Sequence, residues 1–360
     1  MEYLPNPWRG SGLPDTENLV AGAVADDPDL VMHLLGLCPI YKPTPMQSPA
    51  ALAYQLGVAA IHFKDERGRM GLGSFKALGA AYAIAKQAYL QVGDRLTDPN
   101  MAKTALSGKT FVTASAGNHG LSVAAGARLF GAKAVVFLAQ TVPTAFQGQL
   151  QGYDAQVVIE GENYEQSMAA ATRAATENGW ILLSDSTWNG CLTGRDVMEG
   201  YLALAVEAVA QLDTPPSHIF LQAGVGGLAA SLSAYFRLKW QDGPKIIVVE
   251  PEAAPALMDS IRAGKFVISS GPVSDMGRLD CKEASHLALK SLAKLADGFM
   301  TLEDCTVKQV ITSLDRHGLQ TSSSGGAGYA GLCAAKEAQI AKLDADSRVL
   351  IVLSEGPTDG

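Results

Sequence analysis

From residue 109 onward, short apolar runs alternate with longer stretches of helical spacing, and this alternation leaves few folds open to the chain. Strand-like runs fall at 110–113, 134–138, 156–159, 180–183, 218–222, 245–250 and 349–353. Helical spacing occupies 118–130, 143–150, 164–178, 193–211, 227–236 and 254–263, with two further helices at 306–317 and 328–341. Strands joined through helices pair in parallel, because each crossover returns the chain to the same end of the sheet. The prediction is therefore an α/β fold on a parallel sheet. Earlier in the chain, 57–64 reads as a strand, 65–69 as a charged turn and 75–88 as a helix. Residues 1–56 read as an irregular lead-in with one or two helices, and 264–305 as a less regular stretch.

Composition narrows the function. With 360 residues, 48% of them hydrophobic, the chain can bury a large core and is expected to hold two domains. A formal charge of -8 argues against nucleic acid or an anionic membrane as partner. Cys38, Cys191, Cys281, Cys305 and Cys333 are odd in number and lack CxxC spacing, so they read as reduced thiols without a disulfide framework or zinc site. No secretory leader and no apolar run of membrane-spanning length is evident, and the expected location is the cytoplasm.

In open parallel sheets, ligands collect at the carboxyl ends of the strands, so the loops there carry the chemistry. The first such loop holds Gly71, Gly73, Ser74 and Phe75 and delivers Lys76 to the mouth of a helix, with Ser74 as expected N-cap. A lysine enclosed by Phe75 and Leu78 near the positive end of a helix is expected to have a lowered pKa, which suits a Schiff-base nucleophile and general base. A solvated helix lysine is the plainer reading of that segment alone. After 110–113 come Ser115, Ala116, Gly117, Asn118, His119 and Gly120. Free amides and the Ser115 hydroxyl there could hold a carboxylate, and Asn118 could bond an aromatic oxygen; an ordinary tight turn capped by Asn118 is the alternative.

After 218–222, Ala223, Gly224, Val225, Gly226 and Gly227 could converge their amides on a phosphate at a helix N-terminus. The run is weak alone, and it matches neither the nucleotide P-loop nor the dinucleotide fingerprint. Ser354, after the last strand, could meet a neutral ring nitrogen, and Asp185 ends the 180–183 strand near Trp188. Capping of the next segment is the alternative for Asp185. A lysine for an imine, a nest for a phosphate, an Asn for a ring oxygen and a hydroxyl for a ring nitrogen are together the needs of pyridoxal phosphate.

Ser74-Phe75-Lys76, Ser115-Ala116-Gly117-Asn118-His119-Gly120 and Gly224-Val225-Gly226-Gly227, in that order, resemble the fold type II pyridoxal-phosphate enzymes of the tryptophan synthase β-like superfamily. Within it the chain is most similar to the diaminopropionate ammonia-lyases, through Pro43-Thr44-Pro45, Lys64-Asp65-Glu66, Asp185-Ser186-Thr187-Trp188, Val248-Val249-Glu250-Pro251-Glu252 and Ser354-Glu355-Gly356-Pro357-Thr358-Asp359. The resemblance implies two open, mostly parallel twisted sheets flanked by helices, with the cofactor in the cleft between domains. It implies a discontinuous large domain, 1–84 and 191–360, a small domain, 85–190, and a homodimer. By matching positions, Lys76 would hold the cofactor covalently and serve as acid and base, and Asn118 would contact the ring hydroxyl. Residues 223–227 would cradle the phosphate and Ser354 would face the ring nitrogen. Asp185 would be catalytic beside the substrate, and Ser115, Ala116, Gly117 and His119 would line the substrate site.

Two departures matter. The ammonia-lyases carry an aspartate where this chain has Ala116, which removes a second base and favours the L-isomer of 2,3-diaminopropionate as substrate. Residues 322–327, Ser-Ser-Ser-Gly-Gly-Ala, replace a stretch with a glutamate, and no metal is expected. Glu283 could reach the pocket from the irregular stretch, although a solvated loop residue is the better reading. The expected reaction is α,β-elimination to a 2-oxo acid and ammonia. Serine, threonine or hydroxyaspartate dehydration, a β-replacement synthase and a non-catalytic binding protein are the alternatives. With the chain closing just after the last site loop, no appended regulatory domain is expected.

Overall fold

The computed structural model describes residues 1–357; Thr358 and Asp359 of the closing motif, with Gly360, lie outside the described residues. Eleven strands occur among the described residues: β1 (Glu2–Pro5), β2 (Met46–Gln47), β3 (Ala60–Asp65), β4 (Thr110–Ala114), β5 (Lys133–Leu138), β6 (Gln156–Ile159), β7 (Ile181–Leu182), β8 (His218–Gln222), β9 (Lys245–Pro251), β10 (Gly298–Leu302) and β11 (Arg348–Leu353). They form two sheets. The larger runs β1-β10-β9-β8-β11-β3-β2 and the smaller β6-β5-β4-β7. All pairings are parallel except at the two edges of the larger sheet, where β1 and β2 run antiparallel to their neighbours. The α/β class and the two mostly parallel sheets are as the sequence implied.

Ile219, Phe220 and Leu221 of β8, Ile246 to Val249 of β9 and Val349 to Leu353 of β11 are buried along their whole length. Such continuous apolar runs suit strands covered by helices on both faces. Seven helices place the site: α1 (Lys76–Val92), α2 (Asn118–Leu129), α3 (Tyr164–Asn178), α4 (Thr193–Gly200), α5 (Gly227–Trp240), α6 (Ala256–Ala263) and α7 (Ser323–Glu337). α1 lies directly against α4 because both lack side chains at the crossing. A Cβ on Gly79 would lie 2.6 Å from Tyr201 Cε1, and one on Gly200 would lie 2.7 Å from the Leu78 carbonyl.

The less regular stretch proves more ordered than its sequence suggested, since it contains the helix His286–Leu295 and strand β10. β10 sits between β9 and β1, so its identity as a strand comes from partners distant in sequence. The lead-in likewise supplies two edge strands besides the helices Asp29–Gly36 and Ala50–Leu56. The expected 193–211 helix is assigned as two, α4 and Leu202–Gln211, meeting at Tyr201. α7 begins earlier than expected because the Ser322 hydroxyl caps it, accepting from Gly325 N at 2.9 Å. Among the described residues no helix is long and apolar enough to cross a membrane.

Candidate functional site

The parallel strands bring their following loops to one place. β11 pairs with β3 from Arg348–Ala60 to Leu353–Asp65, so both strands end at the same level. The chain leaving β11 then clamps the lysine loop: Phe75 N donates to Ser354 O at 3.0 Å and Gly356 N to Gly73 O at 3.1 Å. Gly71 and Gly73 adopt positive φ (71° and 77°), the left-handed turn that brings the chain onto this clamp. Ser74 Oγ accepts from Lys76 N at 3.3 Å, while the residue preceding the helix is Phe75, which contributes no side-chain cap. The expected Ser74 cap is thus displaced by one residue. Phe75 instead packs its ring against Tyr201, centroids 4.9 Å apart.

Lys76 Nζ donates to Asp185 Oδ2 at 2.7 Å, with the two side chains 21% and 15% exposed. This overturns the expected direction of the lysine's titration. Burial works to lower its pKa, but the charge and hydrogen bond of Asp185 outweigh it and raise the pKa above the ordinary value. Burial likewise works to raise Asp185, yet Lys76 and His119 hold its carboxyl well below the usual carboxylate range. The site therefore carries an ion pair at neutral pH. A lysine of lowered pKa would require its partner to be drawn away.

Around this pair stand the other expected residues. His119 Nε2 lies 3.0 Å from the Leu183 carbonyl, which makes Nε2 the protonated nitrogen and leaves buried Nδ1 with no partner among the described residues. Burial lowers its pKa. Ser115 Oγ accepts from Gly117 N at 3.3 Å, which tightens the turn into α2. Asn118, the first residue of α2, does not cap the helix; its Nδ2 donates to Glu355 Oε2 at 2.8 Å. Ser354 is buried at the end of β11, where its amide donates to Gly325 O at 3.4 Å. Glu283 is exposed, in keeping with the solvated reading.

The glycine segment follows β8. Gly226 takes φ +94° and Gly227 opens α5. The space behind the segment is closed: a Cβ on Gly224 would lie 3.0 Å from Cys281 Sγ and 3.1 Å from Leu279 Cα. Among the described residues, the amides of Gly224, Gly226 and Gly227 donate to no protein acceptor. Free amides at the start of a 14-residue helix fit a phosphate, and the amine of Lys76 fits an aldehyde. The donor set thus fits pyridoxal phosphate, with the amides of Gly224, Gly226 and Gly227 to take its phosphate and Lys76 its aldehyde carbon; the amide of Ala223, expected in the same nest, is instead bound to the Val249 carbonyl at 2.8 Å, because it continues the sheet from β8.

Sequence reasoning missed several groups here. Glu355 is buried and accepts from both Asn118 and the Ser322 hydroxyl. Arg278 reaches in from the segment read as irregular, Nε 3.7 Å from Glu355 Oε2. Cys281 also lies here: burial pushes its thiol pKa up, and the charge of Asp185 adds to that. Glu355 could have been found, because it follows Ser354 at a strand end; Arg278 gave no local signal. Among the described residues no group of three or more His, Cys, Asp and Glu is placed to hold a metal ion.

The chain is similar to diaminopropionate ammonia-lyase of Salmonella typhimurium, 33% identical over 89% of this chain and 86% of that protein. It is 26% identical to L-threo-3-hydroxyaspartate ammonia-lyase of Saccharomyces cerevisiae over 88% of each. The crystal structure of Escherichia coli diaminopropionate ammonia-lyase with D-serine superposes with a TM-score of 0.88 at 27% identity, covering 99% of this chain and 94% of that one. Residues 37–355 match the family described as pyridoxal-phosphate dependent enzyme. The chain belongs to the pyridoxal-phosphate dependent enzymes.

Proposed function

We propose that this protein is a pyridoxal-phosphate-dependent carbon–nitrogen lyase, which carries out α,β-elimination on a small amino acid bearing a leaving group at Cβ. The products are a 2-oxo acid and ammonia. The observation that carries this reading is the 2.7 Å pair of Lys76 and Asp185, set between a glycine nest on one loop and Asn118 on another. Bound there, pyridoxal phosphate supplies an electron sink for charge developing at Cα. Gly224, Gly226 and Gly227 would hold its phosphate, Asn118 its ring hydroxyl and Ser354 its ring nitrogen. Ser115, Ala116, Gly117 and His119 line the substrate side.

Once free, the lysine amine is the base, and Asp185, whose carboxyl stays ionised, stabilises the ammonium that the lysine becomes. The neutral amine accepts the Cα proton and passes it toward the leaving group. His119, held neutral by burial, orients without competing for that proton. The names of the relatives support two substrates, 2,3-diaminopropionate, as the L-isomer given Ala116, and a 3-hydroxy amino acid. Dehydration of a 3-hydroxy amino acid is the second reading, favoured by Arg278. The proposed small unit, 85–190, carries the Ser115–His119 loop and Asp185 against the lysine; a cytoplasmic homodimer is the proposed setting.

A spectrum and an ammonia assay test this. Purified protein with cofactor should show a yellow absorbance band that Lys76→Ala abolishes, and ammonia release should follow on at least one of L-diaminopropionate, L-serine, L-threonine and L-threo-3-hydroxyaspartate. A protein that takes up no cofactor, or a Lys76→Ala variant with undiminished turnover, would overturn the reading. Production of 2-oxo acid without any added nucleophile separates a lyase from a β-replacement synthase.

A further inference from the structure

Arg278 sits in the turn that follows Met276 and joins both halves of the site. Its amide donates to Ser324 Oγ at 3.1 Å, and its carbonyl lies 3.2 Å from where a Cβ on Gly224 would stand. The backbone is therefore seated on the glycine segment. The side chain crosses to the opposite loop, where Nη1 approaches Ala116 O at 3.4 Å. A Cβ on Gly117 would lie 2.0 Å from Nη1, so the absence of a side chain there is what admits the guanidinium.

This guanidinium is tethered and unsaturated. Its side-chain contacts are the 3.4 Å approach to Ala116 and the 3.7 Å approach to Glu355, both well beyond the ~2.7–2.9 Å of a charge-assisted hydrogen bond. Glu355 has its own donors in Asn118 and Ser322. Nη2 donates to nothing among the described residues, and the side chain is 32% exposed. A planar fork with spare donors beside the substrate loop is a receptor for a carboxylate. The complementary feature is the residue beneath it. Ala116 offers no carboxylate to hold an ammonium group, and Asp185 is engaged by Lys76.

Resting on the elimination reading, we propose that Arg278 determines specificity by binding a carboxylate on Cβ, so that the preferred substrates are 3-hydroxy dicarboxylic amino acids such as L-threo-3-hydroxyaspartate. The chemistry balances. The Cα proton and the Cβ hydroxyl leave as water, the released enamine takes up water, and the net products are oxaloacetate and ammonia. A β-ammonium group in the same position would face a cation instead.

The test uses cofactor-loaded wild type, Arg278→Met and Arg278→Lys, all checked for unchanged melting. Two quantities are measured: kcat/KM on L-threo-3-hydroxyaspartate, L-serine and L-2,3-diaminopropionate, and calorimetric Kd for L-aspartate and L-alanine, which lack a leaving group. Wild type should prefer the hydroxy dicarboxylate. Arg278→Met should lose about thirtyfold on it, mostly in KM, and weaken L-aspartate by a similar factor, with L-serine and L-alanine changed by less than about threefold. Arg278→Lys should fall between, since it keeps the charge and loses the fork. Equal losses on all ligands would assign Arg278 to the common α-carboxylate and overturn the proposal, as would a wild-type preference for diaminopropionate. If no amino acid releases ammonia, the elimination reading fails, while the L-aspartate and L-alanine affinities still decide the role of Arg278.

Discussion

Lys64, Glu66, Arg69 and Lys76 lie in one short stretch of chain, yet two opposite uses of charge meet there. The first three join Glu207 in a buried cluster with two positive and two negative groups. Glu207 accepts from Lys64 Nζ at 2.6 Å, from Arg69 Nη1 and Nη2 at 2.8 Å each, from the Tyr41 hydroxyl at 2.8 Å and from Thr44 N at 3.0 Å. Arg69 adds bonds to both oxygens of Glu66 at 2.7 Å. Every charge in this cluster is matched and saturated. The pair Lys76–Asp185, by contrast, shares one hydrogen bond and keeps some exposure. Saturated charges fix the loop that carries the lysine; the sparse pair at its end retains capacity for a ligand.

The comparison breaks first, if it is wrong, at Glu207. Glu207→Ala leaves Lys64 and Arg69 without their shared partner and should cost about 3–5 kcal/mol, the expected penalty for breaking a buried pair. Equilibrium denaturation measures it. A cost like that of a surface pair, under about 1 kcal/mol, would mean that the cluster does not fix the lysine loop.

This cluster also marks what could be read from sequence. The lysine, the glycine segment and Asn118 were legible because each is a local pattern after a strand. The 65–69 segment was legible only as a charged turn, although Glu66 and Arg69 are fully buried, because the partner that buries Arg69 lies 138 residues further on. Arg278 was hidden for the same reason, since its meaning depends on Gly117 and Ala116 of a distant loop. The titration of Lys76 was misjudged because the helix and burial were visible in the sequence and the 2.7 Å carboxylate was not.

Glu250 sharpens the contrast as a buried carboxyl with no cation paired to it among the described residues. Its oxygens accept the first amides of α6, Leu257 N and Met258 N, at 2.8 Å each. Burial nevertheless pushes its pKa up to about 8 against those amides. The folded protein then holds a proton that the unfolded chain has already lost. Stability should therefore fall as pH rises from the ordinary glutamate pKa of about 4.3 toward the folded value, by an amount on the order of a few kcal/mol, and level off beyond it. Glu250→Gln should remove that component from the pH profile of stability. A profile unchanged by the substitution would show that the two amides satisfy the ionised carboxylate as well as a cation would.

The smallest effect on stability is expected at the proposed reactive pair. Asp185 is depressed, so its contribution is present above the ordinary aspartate pKa and is lost as pH falls through the folded value. Lys76 is raised, so its contribution is present below the ordinary lysine pKa and is lost as pH rises through the folded value. Across neutral pH both hold, and the pair adds no slope to the stability curve. Asp185→Asn keeps the shape and removes one charged partner, at a cost of about 1–3 kcal/mol by denaturation. Ammonia release should fall far more steeply, by about a hundredfold or more, because the ammonium that Lys76 becomes on taking the Cα proton then has no carboxylate to stabilise it. The two measurements together decide whether the distinction between the charge clusters is real. A large loss of stability with little loss of turnover would make Asp185 one more member of the structural network. A small loss with a collapse of turnover would leave Lys76 and Asp185 as the part of the charge arrangement that the saturated cluster exists to position.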